Sequence, residues 1–422
     1  MNPPAAVPMS LADLVTQLRE SLAPTELPLR DELEKLCDLL YAASLLKEEG
    51  RAVRARIIIA PPETFAGEAG PPDGTHAVRF TLSHELTANE IKRLSPAASF
   101  FHSVIAIWPE QGRFRIWGIL NTGPRWMNLV AGGRKPAGQD LSHPIIHVRD
   151  PGWVLFYRGY RLLAEWRGRE LSGPRLDVFQ SNLLHHRFTE VRRRLVAEIH
   201  DNGLPDTLPP AAYDELAQLI AQQFVKRIVN LVRTSGHGGS LVMLPEGQPG
   251  LDAAARWIDC KYSASADPAG LRFRALLKAI VLRVGQLSGE NATLDDAWDI
   301  FRHRRDPELD RLEEAFFELA RLFSDLMQVD GALVIDQRLA IIGFGGEIRV
   351  DRNLLKVSHA HDLEGRVLTE WNVRGDGTRH RSVYRLCSVE PAAIGFVISQ
   401  DSQVRLIANV GGEVTFWAHT GA

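Results

Sequence analysis

Two short stretches bring chemistry-bearing side chains within a few residues of one another. In VDGALVIDQRLAIIGF, Asp330, Gly331 and Ala332 stand at the start of an apolar run that reads as a strand, a turn at Asp336–Arg338 and a second strand. A carboxylate there can hold a divalent cation or polarise a hydroxyl, and a glycine beside it lets backbone approach a ligand closely. In GDGTRHRSVYRL, Arg379 and Arg381 offer directed, charge-assisted bonds to phosphate oxygens, Thr378 a hydroxyl and His380 a further donor. Gly375 and Gly377 favour a tight turn. Three adjacent side chains cannot share one side of a regular strand, so the turn must help to shape an anion-binding loop. Each stretch has a plain alternative: a strand-capping turn for DGA, an exposed basic edge for TRHR.

DGALVI, then GTRHR, then FVIS ending on Ser399, is a more specific pattern than any of its parts. It resembles the diadenylate cyclase family, also called the DisA-like nucleotide-binding domain, over residues 316–417, and GHGGSLVMLPE resembles that family's earlier glycine-to-strand element. The resemblance implies a mixed β-sheet surrounded by helices, with ATP as substrate and a divalent cation (magnesium, manganese or cobalt) assisting. By carry-over, Asp330 engages the reactive ribose hydroxyl or the metal, and Gly331 and Ala332 line the nucleotide pocket. Thr378, Arg379, His380 and Arg381 form the phosphate loop, and Ser399 is a further phosphate contact. Each ATP's 3′-hydroxyl would attack the other's α-phosphorus, giving cyclic di-AMP and pyrophosphate. Two sites must then face one another, which implies a homodimer or a larger assembly. Two departures stand out: the stretch between GHGGSLVML and DGA is longer than the family's, and Gln400 followed by Asp401 replaces an acidic residue directly after the serine. The alternative is a noncatalytic sensor of an adenine nucleotide or a cyclic dinucleotide.

The elements around these motifs give an α/β chain. Leu33, Leu36, Leu39, Leu40 and Leu46 suit one helix, and Leu216, Ile220, Phe224, Ile228 and Val232 another over 211–234. ARIII reads as a strand, and FHSVIAIWPEQGRFRIWGIL and GWVLFYRGYRLLAEWRGREL as strand pairs. The Gly- and Pro-containing NGLPDTLPP places a boundary near 205–212, giving a sensor or regulatory domain over 1–210 and the nucleotide-binding domain over 211–422. The first half resembles the DACNV sensor family in FHSVIAIW, the GWVLFYRGYRLLAEW segment and the Arg-rich helix that follows, where Arg192, Arg193 and Arg194 read as a solvated face. There is also an internal echo. FHSVIAIWPEQGRFRIWGIL parallels VDGALVIDQRLAIIGFGGEI, and the Gly152 segment parallels AAIGFVISQDSQVRLIANVGGEV. Duplication and generic hairpin periodicity both account for it, and the first copy lacks both polar signatures.

Composition narrows the classes. Lys and Arg number 49 against 52 Asp and Glu, a net charge of −3 that argues against a coat for nucleic acid but allows a local cationic site. The 3 cysteines are far apart, which fits a reducing compartment and gives no zinc spacing. With no apolar run of membrane-spanning length and no signal peptide at the first residues, the expected location is cytoplasmic. LVAGGRKPAG reads as an ordinary loop, and SHAHD, with His359, His361 and Asp362, as a polar loop rather than a metal centre. Ser235, His237 and Asp259 make a poor triad without a nucleophile elbow, and GYRLLAEWRGR is a weak nucleic-acid candidate.

Overall fold

Ser10 and Asp13 cap each other's backbone N–H, and this reciprocal cap starts helix α1 (Leu11–Ser21). Leu33, Leu36 and Leu40 then recur along one buried side of α2 (Leu33–Ser44); Leu46 lies beyond that helix. The structure, a computed structural model, describes residues 10–23, 32–65, 70–71, 74–98, 102–123, 133–134, 143–159, 161–167, 170–171, 176–201, 203–264, 268–400 and 403–419. Most of LVAGGRKPAG, and Asp401, lie outside them. The chain divides into two compact units, Met1–Pro174 and Arg175–Ala422.

In the first unit a short pair, β1 (Lys47–Glu48) and β2 (Arg51–Ala52), precedes the sheet strands β3 (Ala55–Ile59), β4 (His76–Glu85), β5 (Ser103–Glu110) and β6 (Arg113–Asn121). The sheet continues with β7 (Pro144–Asp150), β8 (Trp153–Arg158), β9 (Arg161–Arg167) and β10 (Glu170–Leu171), in the order β10-β9-β8-β7-β3-β5-β6-β4. Both expected strand pairs, β5 with β6 and β8 with β9, are present. Side chains alternate across the sheet. Ile57, Ile59, Ile105 and Ile107 pack with α1, α2 and α3 (Ala88–Leu94), while Ile58, Val104 and Ala106 enter a core on the opposite face. Trp166, in the stretch weighed as a nucleic-acid contact, is buried in the first of these cores.

The second unit opens with α4 (Asn182–Asp201) and α5 (Pro210–Ser235), followed by β11 (Gly239–Leu244), α6 (Gln248–Trp257) and β12 (Ile258–Ser263). Three helices follow, α7 (Pro268–Leu287), α8 (Leu294–His303) and α9 (Pro307–Leu326), and then β13 (Ala332–Asp336) and β14 (Ile341–Ile348). A hairpin of β15 (Lys356–Ala360) and β16 (Leu368–Asn372), helix α10 (Thr378–Val389) and the strands β17 (Ile394–Ile398), β18 (Val404–Val410) and β19 (Glu413–His419) complete it. The mixed sheet runs β12-β14-β13-β11-β17-β18-β19-β15-β16, with β11 parallel to β13 and β15 parallel to β19. Helices cover both faces. Leu241, Met243 and Phe396 face a core with α4, α5, α7 and α9, while Val242, Leu244 and Val397 face α6 and α10. Among the described residues no helix is long and apolar enough to cross a membrane.

Two local expectations are corrected. The Arg-rich helix is α4, which lies in the second unit. Its Arg192 is buried and paired with Asp214 at 2.8 Å, so only Arg193 and Arg194 present a solvated face. The NGLPDTLPP break near 205–212 falls inside that unit, between α4 and α5, where Tyr213 Oη donates to the Pro205 carbonyl and Thr207 Oγ1 to that of Gly285. The compact units divide further upstream, at Pro174–Arg175.

Candidate functional site

The starts of the parallel strands β11 and β13, the β17–β18 turn and the start of α10 open onto one cavity of about 1310 Å³. Glycines let these backbones crowd together. Gly331 has φ +118°, and a Cβ on it would lie 2.4 Å from the Gly345 carbonyl carbon. Gly238, at φ +66°, would put a Cβ 2.6 Å from the Ile398 carbonyl oxygen. Any side chain at either position would force the strands apart.

Asp330, Gly331, Ala332, Thr378, Arg379 and His380 all line this cavity, and so does Ser399. Asp330 is exposed and Ala332 buried. Ser399 uses its hydroxyl to close the β17–β18 turn, accepting from Gln403 N–H at 3.1 Å and donating to the Gln403 carbonyl at 3.2 Å. Gln400, where an acidic residue was noted as absent, lines the cavity as well.

The expectation that TRHR forms a turn is corrected: Thr378, Arg379, His380 and Arg381 are the first turn of α10, with Gly377 as its N-cap. Gly377 has no side chain with which to cap, so the first backbone N–H groups of α10 lack a side-chain acceptor and carry the positive end of the helix dipole. The helix also separates the two arginines. Successive residues turn by about 100°, so Arg379 and Arg381 point to different sides. Arg379 lines the cavity and reaches the His237 carbonyl at 3.4 Å. Arg381 is not among the lining residues, and its Nε is buried without a hydrogen bond.

A set of side chains that the sequence did not single out completes the site. The ion pair between Arg405 and Asp376, at 2.9 Å, is almost wholly buried. Asp376 also accepts from Trp371 Nε1 at 2.9 Å and from Tyr384 Oη at 3.2 Å, which pins the segment leading into α10. Burial, with the Asp376 charge adding to it, raises the Tyr384 hydroxyl pKa despite Arg405 beside it. Ser240, Lys261 and Glu347 come in from β11, β12 and β14. Asp376 and Tyr384 lie inside GDGTRHRSVYRL and Ser240 inside GHGGSLVMLPE, though none was read as a site residue; Lys261, Glu347 and Arg405 are brought in by strand pairings that span long stretches of chain.

Among the described residues no group of three or more His, Cys, Asp or Glu is placed to hold a metal ion. Asp330 and Glu347 both line the cavity, and carboxylate oxygens are the ligand type that a hard divalent cation takes. His359 stacks on Phe416 at 4.5 Å and His361 Nε2 lies 2.8 Å from Thr369 Oγ1, while Asp362 accepts from the N–H groups of Arg366 and Val367. His361 and Asp362 thus sit in the polar connection of the β15–β16 hairpin, as the loop reading expects, whereas His359 is a residue of β15 itself, packed on β19. Ser235 Oγ donates to the Val232 carbonyl and Asp259 pairs with Arg349, so these two make no triad with His237.

Residues 22–121 match the family described as "Probable sensor domain DACNV". The match includes FHSVIAIW but ends before GWVLFYRGYRLLAEW and the Arg-rich helix. No curated protein and no solved structure matches the chain.

Proposed function

We propose that the second unit binds an adenine nucleotide by its phosphates and that the chain acts as a nucleotide-responsive sensor. One observation carries this reading: DGA and Thr378–Arg379–His380 meet in a single cavity at the uncapped start of α10. An open helix N-terminus offers N–H donors and a favourable dipole to an anion, and Arg379 adds a charged fork. Lys261 places a further positive charge on the wall, with Nζ 3.5 Å from the Asp330 carbonyl. Arg405 is held by Asp376, so its part is to fix the loop that presents α10. The match to a sensor family over residues 22–121 supports a regulatory role for the chain as a whole.

The second reading is a diadenylate cyclase, favoured by Asp330 and Glu347 lining the cavity that holds the phosphate-side groups. A divalent cation held by Asp330 and phosphate oxygens would supply charge stabilisation at the transferring phosphoryl group. Asp330 would orient the attacking 3′-hydroxyl and Arg379 the triphosphate, with Ala332 and Gly331 shaping the floor. Positioning is the larger contribution, because two nucleotides must align reciprocally.

One experiment decides between them. The full chain is incubated with ATP and magnesium, manganese or cobalt, while bound ATP, cyclic di-AMP and pyrophosphate are measured together. Binding without metal-dependent product supports the sensor. Product formation that Asp330→Asn lowers at least about tenfold supports the cyclase. Absence of both defeats the nucleotide reading.

A further inference from the structure

The two sheets pass through the same seven strands in the same order. From one edge inward the first unit runs β4-β6-β5-β3-β7-β8-β9, and the second runs β12-β14-β13-β11-β17-β18-β19. Chain order is preserved strand for strand; the β15–β16 hairpin falls between β14 and β17 as an addition. Every pairing also keeps its sense. The central pairs β3–β5 and β11–β13 are parallel, and the other neighbours within both seven-strand sets are antiparallel.

Helices correspond too. α2 precedes β3 as α5 precedes β11, and α3 lies between β4 and β5 as α9 lies between β12 and β13, each packing on the same side of its sheet as its counterpart. Short right-handed connections favour some sheet orders over others, but they do not impose this interleaved one twice.

Register carries the comparison to single residues. Ile57 pairs with Ile105 and Ile146; Leu241 pairs with Leu333 and Phe396. Setting Ile57 on Leu241 and Ile105 on Leu333 puts Ser103 on Gly331, Val104 on Ala332 and His102 on Asp330. The echo between FHSVIAIW and VDGALVID gives the same alignment. The second echo is displaced by one strand, since β8 and β9 correspond to β18 and β19 rather than to β17 and β18.

The same register sets Arg56 on Ser240. Ser240 lines the nucleotide cavity of the second unit. Arg56 is fully buried, and its Nη2 donates to the Ser103 carbonyl at 3.2 Å and to Thr122 Oγ1 at 3.3 Å. A guanidinium therefore fills, in the first unit, the place that a small hydroxyl leaves open in the second. The residue at the Gly331 position has gained a side chain, and the residue at the Asp330 position has lost its carboxylate.

We propose that the first unit is a second copy of the second unit's fold, closed by Arg56 at the position of the nucleotide cavity, so that each chain binds one nucleotide. The count of one per chain rests on the nucleotide reading above; the copy and its closure do not. A reaction joining two nucleotides would then need a second copy of the chain, because the two units of one chain supply a single open site.

The test is a crystal structure of the full chain grown with a non-hydrolysable ATP analogue, together with analogue affinity for Ser240→Arg and Ser240→Ala. The expected structure superposes β3–β9 on their counterparts with Ser103 on Gly331, keeps Arg56 bonded to Ser103 and Thr122, and shows analogue in the second unit alone. A different strand order, or β5 slipped by one residue, overturns the copy, because a one-residue slip sends every side chain to the other face. Analogue in the first unit, or Arg56 turned out to solvent, overturns the closure. Analogue in neither unit counts against the nucleotide reading and the one-per-chain count, and the superposition and Arg56 still judge the rest. Ser240→Arg is expected to weaken binding at least about tenfold, and by more than Ser240→Ala, which removes the hydroxyl without filling the cavity. Unchanged affinity in a folded Ser240→Arg would show that an arginine at this register position does not close the cavity.

Discussion

Arg379 and Arg381 are two residues apart in a basic run, yet the fold gives them different surroundings. Arg379 lines the cavity, whereas Arg381 does not. A charged hydrogen bond to phosphate contributes about 1.5–3 kcal/mol, so Arg379→Ala is expected to weaken ATP binding by about tenfold or more. Arg381→Ala should change ATP affinity less than threefold (about 0.6 kcal/mol) and act mainly on stability. Equal losses of affinity by calorimetry would put both side chains on the nucleotide. His359 makes a prediction of another kind. Burial, then the nearby His361 and Arg405, lower its pKa from 6.5 to about 4. Between those values the unfolded chain takes up a proton that the folded chain refuses, so stability falls as pH drops through that window. Urea unfolding at pH 7 and pH 4.5 should show a larger acid loss for the parent than for His359→Phe; identical losses would mean that His359 titrates alike in both states. The motif residues were legible because they lie close together in sequence and carry distinctive chemistry. Ser240, Lys261 and Arg405 were not, since each is an ordinary residue until strand pairing delivers it to the cavity.

At the scale of elements, α10 shows where sequence reading went astray. Gly375 and Gly377 signal a turn, and they supply one, but the chain then enters a helix whose Val383, Tyr384, Leu386 and Cys387 are buried at helical spacing. Reading TRHR apart from that downstream stripe hid the helix N-terminus, which begins after Gly377 without a side-chain cap and opens onto the cavity. The long helices, by contrast, were plain from their periodicity. Leu216, Ile220, Phe224, Ile228 and Val232 lie along the buried side of α5. What periodicity does not show is the ion pair inside that packing. Arg227 on α5 is fully buried and bonds Glu313 on α9, with the Arg227 guanidinium also 5.5 Å from the ring centroids of Phe316 and Phe317. Removing Glu313 takes a charged partner from a buried guanidinium, so Glu313→Ala should cost about 3–5 kcal/mol, while Arg227→Met with Glu313→Leu should recover much of that loss. Denaturant midpoints for the single and double variants would check this; a single variant as stable as the parent would mean that the pair contributes little.

At the scale of the whole molecule, NGLPDTLPP suggested a domain boundary because Gly and Pro interrupt helical structure. An interruption of local structure is not an interruption of packing. The segment joins α4 to α5, and Leu184, Leu195 and Ile199 of α4 are buried in the same core as Leu216 and Phe224 of α5. Arg187 of α4 also donates to the carbonyls of Pro391 and Asn409, tying the helix to the far side of the sheet sequence. A fragment beginning at Ala211 therefore discards part of the core it was meant to isolate, whereas one beginning at Arg175 keeps it. Burying a leucine or isoleucine contributes about 1.5–3 kcal/mol, so loss of these three side chains should lower the unfolding free energy by more than about 4 kcal/mol. The longer fragment is expected to unfold cooperatively and to hold the ATP analogue as the full chain does, because every described residue named at the cavity lies within it. The shorter one should unfold at a markedly lower temperature and bind the analogue weakly through loss of fold, with binding restored in part when a peptide spanning 176–206 is added. Equal melting temperatures for the two fragments would show that α4 is dispensable and would move the working boundary back to the Pro-rich break.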